Sequence, residues 1–141
     1  MQVELIRVDN AFHFEAKGTS GVPVQIDAAE DIGGHNLGSR PMELLLMGLG
    51  GCTAIDVLLI MKKQRQMVED LKISVSGERT KIEGTEMNPF SKINIHFTFK
   101  GDIKADKAQK AIEMSMEKYC SATAQFANSA KITHSFEILG N

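Results

Sequence analysis

Positive charge is in short supply in this chain: 16 lysines and arginines against 18 aspartates and glutamates leave a formal net charge of -2 and a pI near 6.1. The basic residues are scattered rather than banked, so there is no field for a phosphate backbone, and nucleic acid is not an expected partner. Cysteine is scarce as well, with only Cys52 and Cys120. A chain of 141 residues buries its apolar surface as one domain without covalent staples. In a reducing compartment a bond between the two sulfurs is transient, and either catalytic or sensing. Met1 to Val8 alternates charged with apolar residues and lacks a basic segment followed by an apolar one with a cleavage site, so a cytoplasmic location is expected. No internal repeat, Walker loop, dinucleotide fingerprint or Ser-His-Asp ordering is present. The histidines at 13, 35, 96 and 134 have no metal-ligand spacing with either cysteine, and the expectation is no metal and no cofactor.

Long apolar runs are nearly absent too. The one exception, Met42 to Met61, is interrupted by Glu43 and Asp56 and by glycines 48, 50 and 51, and reads as a helix buried by protein rather than by lipid. Around it the periodicity switches between strand and helix. Val3, Leu5 and Ile6, then Ala11 to Lys17, then Val22 to Ile26 with its Pro23, predict an antiparallel meander. Ala28 to Arg40 reads as a turn-rich connection of the length that often carries function. Pro41 opens the long helix, which runs to about Gln66, with Lys62, Lys63 and Arg65 suiting its negative end. Leu71 to Ile82 and Lys92 to Phe99 predict paired strands. Asp106 to about Cys120 repeats apolar residues at three-four spacing, and a short helix (122 to 128) and a strand (132 to 139) finish the chain. The class is α+β. A helix apolar on all sides must be covered on all sides, which one six-stranded sheet from a small chain does poorly, so a two-fold dimer is expected.

The chemistry gathers at Cys52 and Cys120. Three glycines within four positions each cost the helix roughly 1 kcal/mol against alanine. Gly48, one turn before Cys52 and next to Leu49, opens a slot beside the sulfur for a substrate or for a packed backbone; packing is the expected reason for Gly50 and Gly51. Glu43 and Cys52 are nine positions apart, about 180° round a straight helix and roughly 13 Å along it. If Glu43 serves the same site it comes from a second subunit; otherwise it is a first-turn carboxylate favoured by the helix dipole. Asp56, one turn after Cys52, disfavours a thiolate there and needs a cation, for which Arg40 is a candidate; a structural ion pair is the alternative. His35, in the glycine-bearing loop, is the histidine placed to line a site.

Gly33-Gly34, Pro41-Met42-Glu43-Leu44-Leu45, Gly50-Gly51-Cys52 and Tyr119-Cys120 together resemble the osmotically inducible protein C / organic hydroperoxide resistance (OsmC/Ohr) family over nearly the whole chain. The resemblance implies curved antiparallel sheets wrapping two long central helices, an intertwined homodimer, and a site at the subunit interface. There Cys52 attacks an organic hydroperoxide, Cys120 resolves the sulfenic acid as a disulfide, and an external dithiol regenerates the pair. Glu43 matches the family glutamate that orients an active-site arginine. That arginine has no match here, since the corresponding region offers only Lys17 and Arg7; Ser121 stands where the peroxidases usually have proline, and Asp56 is outside the peroxidase pattern. A different reading is a non-enzymatic dimer that binds a small apolar ligand, with both cysteines merely buried.

Overall fold

Alternation in the first residues is realised as an antiparallel meander of β1 (Glu4–Arg7), β2 (Phe14–Lys17) and β3 (Val24–Ile26), with Glu4 opposite Lys17 and Phe14 opposite Ile26. The computed structural model describes residues 1–140; Asn141 lies outside them. β2 starts three residues later than the alternation predicts. The Asp9 carboxylate accepts the amides of Ala11 at 2.9 Å and His13 at 3.2 Å, offering that backbone a turn in place of a ladder. Pro23 sits just outside β3, where its missing donor costs no strand pairing.

The connection after β3 is a built structure rather than a loose loop. Asp27 is buried, and its carboxylate accepts Ala28 N at 2.7 Å and both His35 N and Leu37 N at 3.1 Å. Burial works against ionisation of Asp27, but the amides of Leu37, Ala28 and His35 outweigh it and hold the carboxyl below its ordinary range. The turn also needs Gly34, since a Cβ there would lie 2.0 Å from the carbonyl oxygen of Ala28. These residues belong to the first of two compact units, Met1–Leu45; the second is Leu46–Asn141.

The long helix, α1, spans Pro41–Lys63. Pro41 takes its first position, the Glu43 carboxylate accepts the Arg40 amide at 2.9 Å as half of a capping box, and Lys62 and Lys63 occupy the last turn. It stops where Arg65 turns left-handed, at φ 58°, with Gln66 N bonded to Met61 O and Arg65 N to Lys62 O, a Schellman end built without glycine. Leu49, Thr53, Val57 and Ile60 form its buried stripe. The opposite stripe does not find cover among the described residues: Ile55 is 63% exposed and Leu59 54%. α1 is the one helix among the described residues long and apolar enough to cross a membrane by length and composition.

In the second unit β4 (Met67–Arg79) pairs antiparallel with β5 (Phe90–Asp102), and β5 pairs parallel with β6 (Lys131–Leu139). β5 is central, and its inward positions Ile93, Ile95, Phe97 and Phe99 are fully or nearly fully buried. The other face of this sheet is polar, with His96 bonded to Ser135 and Glu137 across the strand pair. Between β5 and β6 lie α2 (Ala105–Met114), a π-helical turn (Ser115–Tyr119) and α3 (Ser121–Phe126).

Among the described residues the mixed α+β class stands, with two sheets and three helices. Two expectations are corrected. The strands form two three-stranded sheets and not one of six, and the second sheet is mixed rather than antiparallel. The helical crossover between β5 and β6 returns the chain in its original direction, which only a parallel pairing accommodates.

Candidate functional site

Cys52 and Asp56 are one turn apart on α1, at the border between its buried stripe and its exposed one, so both are half-buried. Cys120 comes from the other side. It ends the π-helical turn, is 5% exposed, and its extended backbone breaks the helix before α3 begins. The two cysteine sulfurs and a carboxylate oxygen of Asp56 all lie within 4.8 Å of one another. Both thiols are free.

The π-helical turn is what makes this meeting possible. At 100° per residue, Ser115 and Cys120 would diverge by about 140° on an α-helix. Cys120 N instead bonds to Ser115 O at 2.7 Å, five residues back, and both side chains reach α1. The Ser115 hydroxyl donates to Asp56 Oδ2 at 3.0 Å and stands 3.0 Å from the Thr53 hydroxyl. Because the single Ser115 proton goes to the carboxylate, Thr53 is the donor to Ser115. Thr53 and Ser115 are fully buried, so this two-hydroxyl chain fixes one oxygen of Asp56 from inside the core.

Cys120 caps α3: its sulfur accepts the Thr123 amide at 3.3 Å. Burial pushes the Cys120 thiol above its ordinary value; Thr123 opposes this, and the neighbouring Cys52 adds to the rise. The Thr123 hydroxyl oxygen is buried without a hydrogen-bond partner among the described residues. On the outer side Asp56 lines a cavity of about 320 Å³ together with Lys63, Lys107, Lys110, Met114 and Tyr119. None of these lysines approaches Asp56 to ion-pair distance among the described residues.

The residues singled out from sequence are placed as follows. Cys52 and Cys120 are brought together, and Asp56 joins them. Leu49 is fully buried in the core of the second unit. A Cβ on Gly50 would stand 3.0 Å from Val75 Cγ2, so close packing against β4 explains that glycine, while Gly48 and Gly51 face open space. Arg40 is engaged inside the first unit, donating to Asn36 Oδ1 at 2.7 Å and to the carbonyl of Gly38 at 3.0 Å. Glu43 caps the Arg40 amide, and His35 pairs through Nδ1 with Asp9 at 3.2 Å. Thr53, Ser115 and Thr123 were missed. Thr53 and Ser115 each break an otherwise apolar helical stripe, and that signal was available.

Among solved structures, a hypothetical protein from Aquifex aeolicus VF5 is 31% identical, with a TM-score of 0.84 over 99% of this chain and 96% of its own. The organic hydroperoxide resistance protein OhrB of Bacillus subtilis shares the fold, with a TM-score of 0.70 at 19% identity over 96% of each chain. Protein YhfA of Escherichia coli K12 is 41% identical over 100 residues, 70% of this chain and 72% of its own length. The family profile described as OsmC-like protein matches residues 34–135, a span that takes in Cys52, Asp56, Ser115 and Cys120. That span covers more than half of the chain and agrees with the YhfA likeness: the chain belongs to the OsmC-like protein family.

Proposed function

We propose that this protein reduces organic hydroperoxides through Cys52 and Cys120, as a cytoplasmic homodimer with its site at the subunit interface. The observation that carries the reading is the approach of the two sulfurs to within 4.8 Å while their burial differs, Cys52 half-buried and Cys120 buried. The Cys52 thiolate attacks the terminal oxygen of ROOH. The O–O bond breaks, the alkoxide takes a proton and leaves as alcohol, and Cys52 becomes a sulfenic acid. Cys120, protonated until then, attacks that sulfur; water leaves and the disulfide forms. An external dithiol, itself oxidised to a disulfide, restores both thiols. Leu59, Ile60 and Met114 beside the site favour substrates with hydrocarbon substituents. Structures of organic hydroperoxide resistance proteins share this fold, which supports the reading. So does the bare stripe of Ile55, Leu58 and Leu59, the cover for which is proposed to come from a second copy.

One observation favours a different reading. The carboxylate of Asp56 stands beside the two sulfurs, and no ion pair compensates its charge among the described residues. On that reading the protein is a non-enzymatic dimer that binds a small apolar ligand. Consumption of cumene hydroperoxide in the presence of a dithiol separates the two, combined with mass mapping of the disulfide after one equivalent of peroxide. Turnover abolished by Cys52→Ser supports the peroxidase; no turnover and no Cys52–Cys120 disulfide leaves the binding protein.

A further inference from the structure

Asp56 has no evident part in a peroxide mechanism, yet it is held in place with care. Its Oδ2 is fixed by Ser115, Ser115 is fixed by Thr53, and all three meet where the two cysteine sulfurs converge. A carboxylate oriented by buried hydroxyls is the outer support that metal-ligating side chains receive. The donor set is two sulfurs and one oxygen. Cys52 and Asp56 stand one turn apart on α1, the spacing at which two side chains of one helix reach a common ion, and Cys120 closes the triangle from the π-helical turn.

We propose that Cys52, Asp56 and Cys120 form a three-ligand site for a thiophilic divalent cation of the zinc class in the reduced protein. The dimensions fit. Zinc bound at about 2.3 Å to sulfur and about 2.1 Å to oxygen holds tetrahedral donors roughly 3.5–3.8 Å apart, so a trio within 4.8 Å needs at most about 1.3 Å of closure. Two thiolates select zinc over the harder magnesium and calcium. Three protein ligands leave the fourth position for water or a small ligand, and one of the three, Asp56, also lines the cavity that Lys63 and Tyr119 border. The three lysines lining that cavity offset the negative charge of two thiolates and a carboxylate. The inference does not rest on peroxide turnover: it needs only the three donors, and it uses the reduced thiols that a disulfide would consume.

The test is titration of the reduced, chelator-treated full chain with zinc chloride by calorimetry, and with cobalt chloride by absorption spectroscopy. The expected result is one zinc per subunit and a cobalt spectrum with sulfur-to-metal charge transfer and tetrahedral d–d bands. Cys52→Ser abolishes both, Asp56→Asn weakens zinc at least tenfold, and Ser115→Ala weakens it about tenfold by freeing Asp56. Cys120→Ser is read only with circular dichroism, since Cys120 also caps α3; the half-buried Cys52 decides the matter alone. Failure to retain zinc at micromolar concentration, or equal binding by parent and Cys52→Ser, overturns the site. Unchanged affinity in Asp56→Asn overturns the carboxylate ligand. Zinc binding without cumene hydroperoxide turnover would sink the peroxidase and spare the metal site, and the converse result would do the opposite.

Discussion

Ser115 donates its hydroxyl to Asp56 at 3.0 Å, across from the sulfurs of Cys52 and Cys120, and so ties the π-helical turn that ends at the second cysteine to the helix that carries the first. The bond is part-buried, and its fully buried donor is itself fed by Thr53. Ser115→Ala leaves both the Asp56 oxygen and the Thr53 hydroxyl unsatisfied, and is expected to cost about 1–3 kcal/mol. Thr53→Val leaves Ser115 still bonded to Asp56 and should cost less. Urea unfolding of the two variants gives the ranking, and equal losses would remove the directional chain.

Chemical labelling reads the same site from the sulfur side. Cys52 is half-buried, while Cys120 is 5% exposed, raised in pKa by its burial and bonded to the Thr123 amide. The thiolate is the reacting form, so iodoacetamide is expected to modify Cys52 first and Cys120 several-fold more slowly. Peptide mass mapping over a time course of the chelator-treated protein shows the order. Faster labelling at Cys120 would reverse the roles assigned to the pair.

Much of this architecture is legible in the sequence, and the losses have physical causes. Strict alternation from Ile93 to Phe99 marks β5 because one face of that strand is buried and the other polar. Pro41, Glu43 and Lys62 mark the ends of α1 by capping and dipole logic that depends on neighbours alone. Sheet partnership is not local in this way: nothing in the alternation of Lys131 to Leu139 says that it pairs parallel to β5. The π-helical turn was likewise hidden, since Ser115, Met116 and Tyr119 continue a three-four apolar spacing past the point where α geometry stops at Met114. Cys52 and Cys120 could be paired by chemistry, but the hydroxyl chain to Asp56 requires coordinates.

Asp27 supplies a dependence on pH. Its carboxyl is buried, but the amides of Leu37, Ala28 and His35 stabilise the anion more than burial penalises it, so its folded pKa lies below the unfolded one. The contribution is therefore present above the ordinary carboxylate range and is lost as pH falls through the depressed folded value. Asp27→Asn should be less stable than the parent at neutral pH, and the two should converge under acid. Thermal unfolding from pH 7 down to pH 3 measures the convergence; a constant gap would show that the charge contributes nothing.

Arg65 holds a left-handed conformation, φ 58°, at the end of α1, where a side chain is strained. Glycine suits that position, and relief of the strain exceeds the extra entropy glycine loses on folding. Arg65→Gly is expected to stabilise the protein by about 0.5–1 kcal/mol, read as a higher denaturant midpoint with unchanged slope.

The exposed stripe of α1 is the face through which the dimer is proposed to form. Gly51, Ile55, Leu58 and Leu59 lie on the side of the helix opposite Leu49, Thr53 and Val57, and a Cβ on Gly51 meets nothing within 4 Å. In an isolated chain Gly51→Ala would gain roughly 1 kcal/mol of helix propensity and Ile55→Lys would be nearly neutral, because none of the described residues covers them. In the proposed dimer both residues face another copy, so alanine crowds the approach of the second helix and lysine places an unpaired charge in an apolar interface. Ile55→Lys is therefore expected to turn a dimer into a monomer by sedimentation velocity. The same variant should also slow formation of the Cys52–Cys120 disulfide, since Cys52 stands at the border of that stripe and would lose the cover of the second copy. A parent protein that sediments as a monomer, with Ile55→Lys as stable as the parent, would leave the stripe without a partner and remove the interface from the proposed site.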